Sequence, residues 1–198
     1  MLTVAIALGV VVGLLRGGRL TTLGAVPWRW LWLAPVAFAL QVLAVYGVGA
    51  SGLKEVGALL HVSSYIPLGV VLWANRSLPG AKAIALGLLL NFVVIAANGG
   101  YMPVSREALA AQGQSHLANL PSGTVIAGSK DILLDAADTR LWFLSDVITN
   151  TWLPLWERSF SLGDVVLAAG VFYLVQAAVS SPIHRQGRLT NRELTDVA

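Results

Sequence analysis

The chain has 198 residues, of which 56% are hydrophobic and only 12% are charged. A soluble domain usually carries about 25% charged residues, so this composition is typical of a protein embedded in a membrane. The absence of cysteine excludes disulfides, thiolate metal sites and cysteine nucleophiles. The three histidines are scattered along the chain, and no phosphate-binding loop is present. We therefore expect no metal and no cofactor.

Five apolar stretches approach the roughly 20 residues that a helix needs to cross a bilayer. None of them alternates strictly between polar and apolar residues, as a barrel strand would. They cover residues 2–15, 30–50, 56–74, 83–97 and 162–179. The sequence therefore predicts an all-α integral membrane bundle of five transmembrane helices, which forms a single domain over residues 1–181.

The distribution of Lys and Arg predicts the orientation, because positively charged loops resist translocation. Eight of the thirteen basic residues share one side if the N-terminus lies outside, namely Arg16, Arg19, Arg29, Arg76, Lys82, Arg185, Arg188 and Arg192. We therefore expect the C-terminus inside, with residues 182–198 as a polar cytoplasmic tail. Basic residues follow the first apolar stretch rather than precede it, which favours a retained anchor over a cleaved signal peptide.

The segment 98–161 is about 64 residues long and connects the fourth and fifth predicted helices on the outer side. A connection of this length in a compact protein is usually functional or disordered, and the tryptophans in it argue for order. Ser105 is a suitable N-cap for a short helix over residues 106–112, and residues 132–147 have the pattern of an interfacial helix. We expect a long, partly structured outer loop that caps the bundle.

Several polar residues fall within the apolar stretches, where each is costly. Asn91, together with Gln41 and Gln176, is of a type that usually hydrogen-bonds between helices. His61 is interpreted as a neutral imidazole with its hydrogen bonds satisfied, and the alternative is a proton carrier.

Asp164 allows two interpretations. With Ser161 it has the spacing of a capping box, in which its carboxylate accepts from the backbone N–H of Ser161. The alternative pairs it with Asp146 as two acids that share a proton and activate water. We predict that both acids lie near the outer interface and share one outer-facing pocket with Asn98.

Three segments resemble an uncharacterised bacterial family of small multi-pass membrane proteins, one of the families of unknown function. They are Asn-Gly-Gly-Tyr-Met-Pro-Val-Ser at 98–105, Thr-Arg-Leu-Trp-Phe-Leu-Ser-Asp at 139–146 and Phe-Ser-Leu-Gly-Asp-Val-Val-Leu at 160–167. The resemblance runs through most of the chain up to residue 182. It implies a location in the bacterial plasma membrane, and it implies no activity.

A more local likeness is to lipoprotein signal peptidase, a membrane aspartyl protease. Asn98 with the two following glycines resembles that family's Asn-x-Gly segment, and Asp164 resembles the catalytic aspartate that opens its last helix. Asp146 falls where the other catalytic aspartate would stand. The family also has an adjacent Asp-Arg pair, whereas here Thr139 separates the acid from Arg140. The likeness implies Asp146 and Asp164 as a catalytic dyad.

Three classes of function follow from these observations. An accessory subunit would associate with a larger membrane complex. A protein that handles lipid or a small solute would have a polar cleft around Asn91, His61 and Asp164. A hydrolase would bring Asp146 and Asp164 together. The lipid bilayer is the expected partner, and no nucleic acid is expected, because most basic residues lie at the inner membrane surface. We expect the working surface on the outer side.

Overall fold

The computed structural model describes residues 1–48, 52–149 and 159–180. Most of these residues are helical. The apolar helices are α1 (Leu2–Leu15), α2 (Leu33–Val42), α3 (Lys54–Ser63), α4 (Tyr65–Ala74), α5 (Ala81–Ala97) and α8 (Leu162–Ser180). The predicted tail, Trp152, Trp156 and Arg158 lie outside the described residues.

Two of the predicted helices carry local irregularities. The stretch 56–74 is divided into α3 and α4 at Ser64. Pro67 explains the break, because its ring has no N–H and would clash with the carbonyl of Ser63 in a continuous helix. The helix α2 widens into π-helical geometry over Leu43–Val48. The apolar pattern therefore predicts the helices but not their internal breaks.

Helix α8 packs mainly against α1 and α5, through small residues. A β-carbon on Gly13 of α1 would lie 2.6 Å from Val179 Cβ, and one on Gly87 of α5 would lie 2.6 Å from the carbonyl oxygen of Gly163. Backbones that approach this closely are typical of helix packing in membranes, where small residues permit extensive van der Waals contact. Gly9 and Gly13 of α1 meet Val175 and Val179, whereas Gly80 and Gly87, before and within α5, meet Gly170 and Gly163, so α8 runs parallel to α1 and antiparallel to α5.

Two helical segments within the described residues are long and apolar enough to cross a membrane, namely Lys54–Ala74 and Leu162–Ser180. The five-span prediction is not supported beyond these two. At 1.5 Å per residue, the 14 residues of α1 reach about 21 Å and the 17 of α5 about 26 Å. Both fall short of the roughly 30 Å of a bilayer core.

The prediction of an all-α fold is wrong in the outer segment, which contains two small sheets. We call residues 98–149 and 159–161 the cap. In it, β1 (Met102–Val104) pairs in parallel with β3 (Asp131–Leu133), which pairs antiparallel with β2 (Thr124–Val125). A second ladder joins β4 (Ile148–Thr149) to β5 (Ser159–Phe160). These strands of two or three residues are too short to show a sequence period.

Ser105 caps α6 (Arg106–Ala111) as predicted, because its hydroxyl accepts from the backbone N–H of Ala108 at 3.1 Å. A second short helix, α7 (Ser115–Ala118), follows it. The interfacial helix predicted over 132–147 is wrong. Its first residues form part of β3, whose backbone groups bond to two neighbouring strands, and the remainder contains only a 3-10 turn at Trp142–Leu144.

The cap has a core of its own and a contact with the bundle. The core is built on the buried residues Val104, Ala108, Leu109, Ala118, Ile126 and Leu133. Met102 and Leu144 pack instead against Val94 and Ile95 near the end of α5. The sheet is therefore fixed over one end of the helices, and the candidate site lies at this boundary.

Candidate functional site

The residues Asn91, Ser161 and Asp164, which we call the Asn91 cluster, join α5 to the start of α8. The Ser161 hydroxyl accepts from the Asp164 N–H at 3.0 Å, and the carboxylate accepts from the Ser161 N–H at 3.1 Å. This is the predicted capping box. The second carboxylate oxygen accepts from Asn91 Nδ2 at 2.8 Å, and Ser161 donates to Asn91 Oδ1 at 2.8 Å. Asn91 therefore bonds between helices, as expected.

Asn98 fixes the cap to the C-terminal end of α5. Its Nδ2 donates to the carbonyl of Val94 at 2.7 Å and to that of Arg140 at 2.8 Å, and its Oδ1 accepts from the Arg140 N–H at 2.9 Å. Arg140 also donates through its guanidinium to the carbonyl of Ala97 at 3.3 Å. The two candidate residues Asn98 and Arg140 therefore lie at the boundary and contact each other. Most of the hydrogen bonds of Arg140 in this contact come from its backbone.

The two glycines after Asn98 bring the chain against α3. Both have positive φ, 75° at Gly99 and 90° at Gly100, a conformation that other residues adopt at a cost. A β-carbon on Gly100 would also lie 2.5 Å from Ala58 Cβ. This close approach places the carbonyl oxygen of Gly100 2.8 Å from His61 Nδ1. The Asn-Gly-Gly sequence thus positions the partner of His61.

The hydrogen bond to Gly100 determines the tautomer of a neutral His61. A carbonyl can only accept, so Nδ1 carries the proton and Nε2 presents a lone pair. The side chain is 1% exposed, and Nε2 has no hydrogen-bond partner among the described residues. The expectation of a fully satisfied imidazole is therefore met at only one of its two nitrogens. A buried acceptor without a partner is uncommon and marks a place where a donor would bind favourably.

His61 lines a pocket of about 220 Å³ between the cap and the helices. Its walls come from the end of the α2 segment, from α3 and from the cap turn at residues 125–130. Two ammonium groups, of Lys54 and Lys130, belong to residues of this lining. Lys130 Nζ also donates to Gln41 Oε1 at 3.2 Å, and Gln41 Nε2 donates to the Ser64 hydroxyl at 3.1 Å. The pocket is therefore basic and is tied to α2 and α3.

Asp146 lies beside β1 in the cap. Its backbone N–H donates to the carbonyl of Pro103 at 3.1 Å, and its buried Oδ1 has no partner within residues 1–48, 52–149 and 159–180. Burial, with smaller contributions from the negative charges of Asp131 and Asp164, raises the pKa of this carboxyl from 3.8 to about 8, and the positive charge of Lys130 opposes the rise. Asp146 is therefore largely protonated at neutral pH and can donate a hydrogen bond.

Asp146 and Asp164 interact through their charges but not through a hydrogen bond. Each carboxylate oxygen of Asp164 accepts a bond inside the Asn91 cluster. Two acids that share a proton must be in direct contact, as in the aspartic proteases. This geometry favours the capping role for Asp164, and the catalytic dyad stays a prediction.

Several residues of the boundary escaped sequence reasoning. Lys130 and Lys54 belong to no motif, and Tyr101 has no predicted role within the segment 98–105. Only the fold brings the three to the pocket. Tyr101 donates to the carbonyl of Lys54 at 2.8 Å, which joins the cap to the start of α3. Its position directly after two glycines was the one available signal.

Gln176 differs from expectation, since it donates to Ser180 of its own helix at 3.2 Å. No group of three or more metal-ligating side chains occurs among the described residues.

Comparison with known proteins adds a family but no activity. A model of a family of unknown function, DUF5317, matches residues 25–176. An uncharacterized protein of Thermotoga maritima is 32% identical over 149 residues, which is 73% of each chain. No solved structure is significantly similar to the chain.

Proposed function

The chain belongs to the DUF5317 family of unknown function, and we propose that it is a multi-pass membrane protein that binds a small hydroxylated oxyanion beneath its outer cap. One observation carries this proposal. The pocket of about 220 Å³ between cap and helices is lined by a buried histidine whose Nε2 has no partner in the part of the chain that the structure describes. The function would thus be the binding of a small solute. The alternative function, that of an aspartyl hydrolase, is not favoured.

Exposed apolar side chains on the helices support the placement in a membrane. Phe38, Ile66 and Trp73 are 68%, 69% and 70% exposed, and they lie on α2 and α4. Soluble monomers rarely expose large contiguous apolar surfaces, whereas lipid chains solvate them favourably. We propose that all five apolar segments lie in a bacterial plasma membrane with the N-terminus outside. Local thinning of the bilayer would accommodate the shorter ones at modest cost.

The lining of the pocket specifies the chemistry of the ligand. The lone pair on His61 Nε2 requires a donor, because Nδ1 already carries the proton of the neutral ring. The ammonium groups of Lys54 and Lys130 are donors only and favour an anion. A ligand that satisfies both needs a hydroxyl group and negatively charged oxygens. Hydrogen phosphate is the simplest ion that has both, and phosphate monoesters or hydroxy acids are larger ones.

Titration calorimetry with inorganic phosphate and with sulfate tests this proposal. The full chain would be placed in phosphatidylcholine nanodiscs at pH 7.5, where sulfate carries no proton. We expect phosphate to bind at least tenfold more tightly than sulfate, because only phosphate can donate to His61 Nε2. Lys130→Gln should weaken binding of phosphate, and His61→Gln should remove the preference over sulfate.

Matched variants control for unspecific effects. His116→Gln changes an exposed histidine of the cap, and Arg16→Gln changes an exposed arginine that does not line the pocket. Neither should alter phosphate binding. Equal binding of phosphate and sulfate, or wild-type phosphate binding in both Lys130→Gln and His61→Gln, would overturn the proposal.

A further inference from the structure

A groove of about 940 Å³ runs between the α3–α4 segment and α5, on a different surface from the pocket. Its volume lies at the upper end of the range of small-molecule sites, roughly 300–1,000 Å³. The groove is open to the side, and its walls include Ile66, Leu72, Leu89 and Phe92. In a membrane, an apolar groove that opens sideways faces lipid chains.

The charged residues of the groove lie together at one end. Arg76 follows the end of α4 and Lys82 stands in the first turn of α5, and both line the groove. Arg76 stacks over the Trp73 ring at 4.7 Å and donates to the Trp73 carbonyl at 2.9 Å. Within the described part of the chain, Lys82 has no hydrogen-bond or ion-pair partner, and the rest of the Arg76 guanidinium has none either. Two cations therefore remain available to an anion.

Asn75, directly before Arg76, anchors the end of α4. Asn75 Nδ2 donates to the carbonyls of Val71 and Arg29 at 2.8 and 2.7 Å, and Asn75 Oδ1 accepts from the Arg29 N–H at 3.0 Å. This arrangement anchors the end of α4 to the chain that precedes α2. In the proposed orientation the same end lies at the inner membrane surface, where anionic lipids interact favourably with Lys and Arg.

We propose that the groove holds one anionic phospholipid of the inner leaflet, with an acyl chain between α4 and α5 and the phosphate headgroup at Arg76 and Lys82. This inference rests on the membrane placement proposed above but not on the phosphate pocket. The apolar walls fit the chain, and the two cations, which have no acidic partner among the described residues, select the anionic headgroup.

Native mass spectrometry can measure the lipid that stays bound to the full chain. The protein would be released from nanodiscs that contain phosphatidylglycerol and phosphatidylcholine in equal amounts. We expect wild-type protein to retain mainly phosphatidylglycerol. Arg76→Gln/Lys82→Gln should reduce this preference by about thirtyfold, from the usual contribution of two cations near an anionic surface. Arg16→Gln/Arg19→Gln changes two exposed arginines on the same predicted side and should leave the preference unchanged.

Gly69 offers a second variant that tests the groove itself. A β-carbon at Gly69 would meet no atom of the described residues within 4 Å, so the side chain of Gly69→Phe has room to start into the groove, and its helical circular dichroism should match that of the wild type. It should abolish retention of both lipids, whereas Gly69→Ala should not. Continued retention in Gly69→Phe, or displacement of the lipid by free inorganic phosphate alone, would overturn the proposal. Conversion of a dimer to a monomer by Gly69→Phe would also overturn it, because the groove would then bind a second copy.

Labelling of introduced cysteines separates this inference from the proposed function. The chain has no cysteine of its own, so the background is zero. A cysteine at Ser122 of the cap should react with an impermeant reagent from outside, and one at Ser77, between α4 and α5, should not. The reverse pattern would overturn both the orientation and the inner-leaflet lipid. With the expected pattern, an unchanged lipid preference in Arg76→Gln/Lys82→Gln would overturn only the lipid proposal.

Discussion

The Asn91 cluster and the boundary between the cap and the bundle both contain buried polar groups, but they differ in how those groups are satisfied. In the Asn91 cluster, the three residues bond to one another through four hydrogen bonds of 2.8 to 3.1 Å. At the boundary, Nε2 of His61 and Oδ1 of Asp146 are buried and have no partner in the described part of the chain.

This difference separates structural roles from candidate functional roles. A satisfied network in an apolar environment holds helices in one register, and its loss costs stability. A buried polar atom without a partner lowers stability by about 1–3 kcal/mol, so its presence calls for another explanation. A ligand or a transferred proton at the boundary provides one. The cluster should therefore respond to substitution in stability, and the boundary should respond in binding and in pH dependence.

The largest expected effect is the loss of the Asn91 cluster in Asn91→Leu. Leucine fills a similar volume but leaves the Asp164 carboxylate without one donor and the Ser161 hydroxyl without its acceptor. We expect a loss of about 3 kcal/mol, since a bond to a charged group contributes roughly 1.5–3 kcal/mol and an orphaned group adds its desolvation cost. Chemical unfolding in detergent measures this loss. A change below about 1 kcal/mol would show that the cluster does not stabilise the contact of α5 with α8.

A second effect concerns Asp146 and the dependence of stability on pH. The unfolded carboxyl loses its proton near pH 3.8, whereas the folded one retains it until about pH 8. Stability should therefore fall as the pH rises between these values, and the fall should be complete above pH 8. Asp146→Asn cannot ionise, so it should be more stable than wild type at pH 9. We expect a higher unfolding temperature, by roughly 2–4 °C for each kcal/mol gained in a chain of this size.

Thermal unfolding at pH 5, 7 and 9 tests the role of Asp146, with Asp138→Asn as the matched control. Asp138 is an exposed acid of the cap, and its replacement should leave the wild-type pH dependence in place. If Asp146→Asn falls in stability with rising pH as steeply as wild type does, the buried carboxyl is not the source of the dependence. Asp146 would then no longer be one of the two buried groups that distinguish the boundary from the Asn91 cluster.

Sequence reasoning located the helices because long apolar runs have a strong local signal. The predicted stretch 2–15 coincides with α1, and 162–179 differs from α8 by one residue. The strands were missed because their pairing is not local. Residues 102–104 bond to residues 131–133, and a strand of two or three residues carries no sequence signal that identifies so distant a partner. Ser105 was found because an N-cap acts within three residues.

The same distinction explains how much of the site could be predicted. The capping box of Ser161 and Asp164 is a contact between residues three apart, and the sequence identified it. The pairing of His61 with Gly100 joins residues 39 apart, and the position of Lys130 depends on the cap turn that follows β2. Such contacts result from the docking of the cap on the helices. Single-sequence patterns therefore identified the satisfied cluster better than the boundary that is now the candidate site.

The smallest expected effect, and the one that most directly separates capping from catalysis, is that of Asp164→Asn. Asparagine keeps an acceptor for the Ser161 N–H, and a flip of the Asn91 amide would let Asn91 accept from the new NH2 and donate to the Ser161 hydroxyl. The change should therefore cost about 1 kcal/mol, the usual value of a cap. Cells that depend on the protein for growth under a selective condition should tolerate the change as well as they tolerate Asp146→Asn. Loss of growth in both variants, with unfolding free energies within about 1 kcal/mol of wild type, would instead support the two acids as a catalytic dyad and the protein as a hydrolase. Tolerance of both would leave Asp164 with the role that its hydrogen bonds describe, as the cap of α8 and its link to Asn91 of α5.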